Sequence, residues 1–302
     1  EYYHHLRNYA TDSESQRFLA VLFKALVRKI ESLKPSALLS LANGIHGAIA
    51  DQTLLMYDRR PAVESAISAV GAAGWILNPP NDSLFVVDHN MSYNKINPYI
   101  DEQATYNVWI ARDLSAAATL SITYHDRPSP VTIYGDGPYY EGGHTKHDYQ
   151  DFVRVYVPAG ARLVSSNGLE FWAPTQAYGL TQLAGRILVT EGHTHVVTFR
   201  YRLPSWIFAR SGPNRYVLTV ERQPGGDLKH VTLVVHAASG LSVGKPGTGE
   251  QTVTFPLKRT ANHVAVRLLG ATATPPPAPF RDIGTPDPYI PATDFRWDHQ
   301  VF

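Results

Sequence analysis

Residues 118–124 read Ala-Thr-Leu-Ser-Ile-Thr-Tyr, with apolar side chains at Ala118, Leu120, Ile122 and Tyr124 and hydroxyl-bearing ones between them. Strict alternation is the period of a half-buried β-strand, because successive side chains leave a strand on opposite faces. Short runs rich in Val, Thr, Tyr and Phe recur at 105–110, 152–157, 186–189, 196–201, 216–220, 231–235, 252–255 and 264–268. Gly, Pro and Asp part them, and no helical pattern of useful length intervenes. This predicts an antiparallel, immunoglobulin-like β-sandwich over residues 103–270, or two small ones with a seam at 203–213.

Upstream the period changes. Phe18, Leu22, Leu26, Ile30 and Leu33 recur at spacings of three and four, which predicts an amphipathic helix over 13–33. Ser13 or Ser15 caps its start, and Pro35 lies just past its end. A second helix opens at Ser36 and runs through Leu38, Leu39, Leu41 and Ile45. Residues 52–57 read as a short buried strand. Pro61 suits the first turn of a third helix, which Gly74 ends, and 84–87 form a short strand. The fold class expected is therefore α+β. It comprises a helical α/β segment over 1–100, a sandwich over 101–205, a second β-rich segment over 206–270 and an extended Pro-rich tail over 271–302.

Composition narrows the chemistry. The 302 residues hold no Cys, which excludes disulfides, thiol catalysis and Cys-ligated metal centres. Lys+Arg of 27 against Asp+Glu of 26 gives a net charge of +1, without the basic excess that phosphate contacts of a general nucleic-acid binder need. No apolar run approaches the roughly 18–20 residues of a membrane span, so an anchor is expected only upstream of residue 1. There is no Gly-x-Ser-x-Gly elbow, phosphate loop, dinucleotide turn or His-Glu-x-x-His helix. No catalytic residue and no cofactor is assigned.

Four groups carry candidate chemistry. Arg7 and Arg17, with Lys24 and Arg28, can face a phosphate, or form the solvated side of the first helix. His144, His147 and Asp148 lie in a Gly-rich loop with Glu141, in a His-x-x-His spacing compatible with a divalent metal but without the helix that would fix it; no metal is expected there. Asp88, Asn90, Asn94 and Lys95 can meet a cation or a sugar, or hydrogen-bond the local backbone. Tyr134, Tyr139, Tyr140 and Tyr149 crowd one loop region, where exposed tyrosines stack on sugars or anchor an interface. The tail holds seven prolines and the large apolar residues Phe280, Tyr289, Ile290, Phe295, Trp297, Val301 and Phe302. Prolines fix φ and lower the entropy lost on docking, so this tail is expected to dock, as an interface with another copy of the chain or, alternatively, folded back on its own sandwich.

Several segments together resemble the bacterial domain-of-unknown-function family 4012. They are QRFLAVLFKALVRKIESL at 16–33, LFVVDHNMSYNKINPYIDEQATYNV at 84–108, TLSITYHD at 119–126, FVRVYVPAGARLVSSNGL at 152–169 and HVVTFRYRLP at 195–204. The resemblance runs in order from about residue 6 to 204, and its most specific piece is Val87-Asp88-x-Asn90 with Asn94 and Lys95. It implies a membrane-anchored extracytoplasmic protein whose upstream half is distantly similar to LytR-CpsA-Psr glycopolymer transferases. In those enzymes arginines grip a lipid pyrophosphate; Arg7 and Arg17 stand in the corresponding stretch here.

The expected function is a non-enzymatic structural or assembly protein of the bacterial cell surface, self-associating into an oligomer or filament through residues 271–302. Two alternatives stand beside it: a degenerate or accessory protein acting on cell-envelope glycopolymers, and a carbohydrate-binding module in contact with glycans.

Overall fold

A computed structural model describes residues 12–92, 94, 96–128, 147–257 and 261–276. Three helices come first: α1 (Asp12–Glu31), α2 (Pro35–Ala50) and α3 (Pro61–Ala69). Pro35 and Pro61 each occupy the first turn, where a missing N–H costs nothing, and Lys34 and Arg60 before them are extended, as residues preceding proline are. The third helix stops at Val70 and Gly71, whose φ of 76° only glycine adopts freely, so Gly71 rather than Gly74 ends it. Residues 52–57 form no strand. Leu55, Met56 and Tyr57 there are exposed, which corrects the expected buried strand.

Thirteen strands follow among the described residues. They are β1 (Asp82–Val87), β2 (Ile100–Ile110), β3 (Ala116–Asp126), β4 (Tyr149–Val157), β5 (Arg162–Asn167), β6 (Glu170–Ala177) and β7 (Leu180–Val189). The rest are β8 (Thr194–Leu203), β9 (Arg215–Glu221), β10 (His230–Ala237), β11 (Ser242–Val243), β12 (Glu250–Pro256) and β13 (Ala261–Leu269). They build two sheets, ordered β11-β13-β9-β1-β4-β7-β6 and β12-β10-β2-β3-β8-β5. Both are mixed rather than antiparallel: β1 lies parallel to β9, and β2 parallel to β10. The chain is a mixed α+β fold.

Those two parallel pairs also correct the expected division of the chain. After β8 the backbone returns to add β9 beside β1 in one sheet and β10 beside β2 in the other. Residues 206–270 therefore complete both sheets, and β1, from the supposed helical segment, sits near the centre of its sheet. The supposed seam contains a 3-10 turn at Ser205–Phe208 whose Trp206, Ile207 and Phe208 are all buried. These three join Leu84, Val108, Leu120, Val155, Phe199, Leu218 and Leu233 in one core, with both sheets contributing. Face-to-face packing of two sheets requires each inward row to be apolar, and the alternation in β3 meets that requirement.

One polar network crosses this core. Asp82 Oδ2 accepts hydrogen bonds from the Tyr216 hydroxyl at 2.5 Å and the Tyr106 hydroxyl at 3.0 Å. Its Oδ1 accepts from the Ser83 amide, and the Tyr201 hydroxyl donates to that of Tyr106. Burial raises the Asp82 carboxyl to about 7 against the pull of these donors.

A patch of the outer face around β1 is also covered. Phe85, Tyr156 and Leu180 form a second cluster, with Ile76 packed on it. The approach to β1 is pinned where Leu77 N–H donates to Glu221 Oε1 at 2.7 Å and Asn78 donates to the Gly179 carbonyl.

Candidate functional site

The loop after β1 holds the Asp88–Asn94 motif, and the structure brings its parts together. Asp88 is clamped by Gln223, whose side chain accepts from the Asp88 amide and donates to the Asp88 carbonyl, both at 2.8 Å. The Asn90 side-chain amide donates to Asn94 and to Asn97 and its oxygen accepts from Ser92 N–H, while Ser92 and Asn94 both donate to the Asp148 carbonyl. These side chains bind backbone and one another, which is the local shaping role of Asn and Asp in turns. Lys95 lies outside the described residues.

Beneath this loop lies a group of carboxyls that sequence reasoning missed. Asp88 accepts from the Tyr124 hydroxyl of the opposite sheet at 2.7 Å. Asp151, on β4, is fully buried, and neither of its oxygens meets a donor in good hydrogen-bond geometry; the Asp88 carboxyl and Tyr149 hydroxyl are its neighbours. Glu102, on β2, points one solvent-free oxygen into the same space. Burial pushes all three above the usual carboxylate range, and mutual repulsion pushes Glu102 and Asp151 further. Asp126, beside Glu191 and Asp148 at the same end, is raised to about 7 by desolvation first and then by those two charges.

No cationic side chain pairs with Asp88, Glu102 or Asp151 among the described residues. Nor, among them, do three His, Asp or Glu side chains stand where they would hold a metal ion. The adjoining cavity, lined by Asp88, Glu102, Glu221 and Gln223, measures about 10 Å³, room for one water and not for a substrate. Burial and mutual repulsion both favour the protonated forms of these carboxyls, at a joint between the two sheets.

Arg17 is exposed on α1, and Arg7 lies outside the described residues, as does His144. His147 Nδ1 sits 3.7 Å from Glu191 Oε1, and Asp148 Oδ1 accepts from the Glu191 amide. Tyr149 is no loop platform: it opens β4 and is buried against Tyr124, because its position continues the inward row of that strand. Tyr134, Tyr139 and Tyr140 lie outside the described residues, as do Phe280, Tyr289, Phe295, Trp297 and Phe302 of the tail. Of the tail's start, Thr272 N–H donates to the Arg112 carbonyl, and Ala271 and Ala273 pack against the core.

The helices present a different surface. No described side chain of α1 or α2 is buried. Phe23 is 65% exposed, Leu26 54% and Leu39 69%. At 100° per residue, Phe18, Leu19, Leu22, Phe23, Leu26, Val27 and Ile30 fall on one half of α1, and Arg17, Lys24 and Arg28 on the opposite side. Among the described residues, Leu19, Leu22, Phe23, Leu26, Val27 and Ile30 on that half each stay more than a third exposed. None of the described helices is long and apolar enough to cross a membrane.

No protein-family model and no curated protein matches the chain. Among solved structures, a putative nutrient-binding protein from Legionella pneumophila is similar over 62% of this chain and 70% of its own, at 11% identity and a TM-score of 0.32. An M1 zinc metallopeptidase from Deinococcus radiodurans is similar over 56% of this chain and 42% of its own, at 11% identity and a TM-score of 0.30. Likeness this distant says nothing about what this chain binds or does.

Proposed function

We propose that the protein is a non-enzymatic assembly protein of the bacterial cell surface that associates with further copies of itself through its helical arm. The exposed apolar half of α1 carries this reading. Burying a large aliphatic or aromatic side chain is worth about 1.5–3 kcal/mol, and the arc from Leu19 to Ile30 offers several at helical spacing. The two-sheet body, read as an enlarged relative of the immunoglobulin-like sandwich, acts as the spacer that carries the arm. The apolar tail residues from Phe280 to Phe302 are a second contact in the same assembly. The extracellular setting rests on the resemblance of residues 6–204 to an extracytoplasmic family. Sedimentation velocity over a concentration series tests self-association. The intact chain is expected to form larger species as concentration rises, and the pair Leu22→Glu and Leu26→Glu to stay monomeric with an unchanged circular dichroism spectrum. Equal sedimentation of the two would refute the proposal.

A further inference from the structure

The β2 sheet turns one face away from the core, and its strand register fixes what stands there. His236 on β10 pairs with Trp109 on β2, Trp109 with Ala117 on β3, and Ala117 with Arg202 on β8. Alternation puts all four on the outer face, since Ile110, Ala116, Ala118 and Leu203 beside them are buried. The row therefore runs His236, Trp109, Ala117, Arg202 across four adjacent strands.

Its shape follows from side-chain size. Neighbouring strands are about 4.8 Å apart, so the Trp109 and Arg202 backbones stand about 10 Å apart with only the Ala117 methyl between them. That leaves a slot with an indole on one wall and a guanidinium on the other. Ala111, Ser115, Ala237 and Ala238 continue its floor into a shallow hollow of about 370 Å³. Trp109 is 44% exposed although it lies inside a strand. One face of its ring is backed by His236, stacked at 4.8 Å and 8°, and His236 is itself held by Glu250 and Asn107. The indole is thus braced from behind.

The charge is equally one-sided. Arg200 precedes Arg202 on the same outward row of β8, and Arg162 on β5 pairs with Arg202. All three are exposed, and no acidic partner faces any of them among the described residues. Thr119, Ser121 and Thr123 line the outward row of β3 beside them with hydroxyls.

We propose that this face binds an acidic glycan: a pyranose ring lies in the slot against Trp109, and a carboxylate or phosphate on the sugar is held by Arg202, with Arg200 and Arg162 meeting the next acidic unit. A sugar ring presents an apolar C–H face to an indole, and its hydroxyls need donors and acceptors of the kind β3 supplies. Guanidinium suits the planar, two-point grip of carboxylate or phosphate. An uncharged sugar would leave the arginine trio without a counterpart, so charge complementarity selects the acidic class. This site is independent of the helical arm.

Isothermal titration of the full chain tests it, with a galacturonate oligomer, glucose 6-phosphate, an uncharged galactose oligomer and a thymidylate oligonucleotide as probes. One of the two acidic sugars is expected to bind at least about tenfold more tightly than the neutral oligomer, and more weakly as salt rises. Trp109→Ala and Arg202→Gln are each expected to weaken it about tenfold or more, a loss of about 1.4 kcal/mol. Arg202→Gln is an exposed change that leaves the core intact, so it reads the site even where Trp109→Ala perturbs the strand. Absence of binding by both acidic sugars, or affinity unchanged in Arg202→Gln, would overturn the proposal. Tighter binding of thymidylate with the same sensitivity to both variants would overturn it too, in favour of a single-stranded nucleic acid.

Discussion

Replacing Asp82 by Asn removes a charge from the middle of the core and leaves the shape of the side chain nearly unchanged. In the folded chain the Asp82 carboxyl is held at about 7, against 3.8 for a free aspartate, because it is wholly buried between the sheets. The difference of about three units corresponds to about 4 kcal/mol at about 1.4 kcal/mol each. Its sign follows from linkage: between the two values the folded state holds a proton that the unfolded state has released. Stability from this group is therefore complete below about pH 4, falls as pH rises towards 7, and is level above. Asp82→Asn keeps an acceptor for Tyr106 and Tyr216 but turns an N–H towards the Ser83 amide, a fixed cost at every pH. Urea unfolding of both proteins at half-unit steps from pH 4 to 8 reads the difference directly. The variant is expected to be clearly less stable than the natural chain near pH 4 and to close that gap by about 1.4 kcal/mol per pH unit through the window. A gap that stays constant with pH would show that Asp82 ionises normally and that the account of the buried network is wrong.

Glu221→Gln should likewise flatten the stability profile, between about pH 4.5 and 8, because burial raises Glu221 to about 8 while Gln still accepts the Leu77 amide; a profile identical to the natural chain's would contradict this. Gly185→Ala should lower the melting temperature substantially, at a cost of about 1–3 kcal/mol, since a Cβ there would meet the Glu170 carbonyl oxygen at 2.6 Å and the Leu169 side chain; an unchanged melt would refute it. A fragment of residues 101–205 should show no cooperative unfolding, because it lacks β1, which lies between β4 and β9, and β10, which covers the open side of β2; a sharp calorimetric transition for the fragment would restore the divided-chain reading.

The strands legible in the sequence are those whose inward rows are apolar. β3 alternates cleanly because one of its faces meets the core and the other does not. β5 and β6 were not legible. Both lie at sheet edges, their side chains are mostly exposed, and β6 contains Pro174 at an irregularity between Trp172 and Thr175, where no ladder hydrogen bond is forfeited. The parallel pairing of β1 with β9 was hidden for another reason: no local pattern tells a strand which partner, more than a hundred residues away, will lie beside it.

The sites divide in the same way. The polar spacing from Asp88 to Asn94 marked a turn that the structure builds. The carboxyls of Glu102 and Asp151 carried no signal, because each sits singly in an ordinary strand and only register brings them to Asp88. The row from His236 to Arg202 is likewise spread over four strands. One hint was available: Trp109 stands on the polar side of its strand, where an aromatic residue has no place in the core.

The claim that the apolar half of α1 is an assembly surface can be tested in a chain that contains no cysteine. Phe23→Cys places a single thiol on the apolar arc, and Lys24→Cys places one on the basic side, one residue away. Thiol labelling rates would be measured at dilutions where the protein is monomeric and at concentrations where it assembles. The account predicts equal labelling of the two in dilute solution, and at high concentration at least about tenfold protection of Phe23→Cys with Lys24→Cys still reactive, as burial of one helix face requires. Equal reactivity of both thiols at every concentration would contradict it.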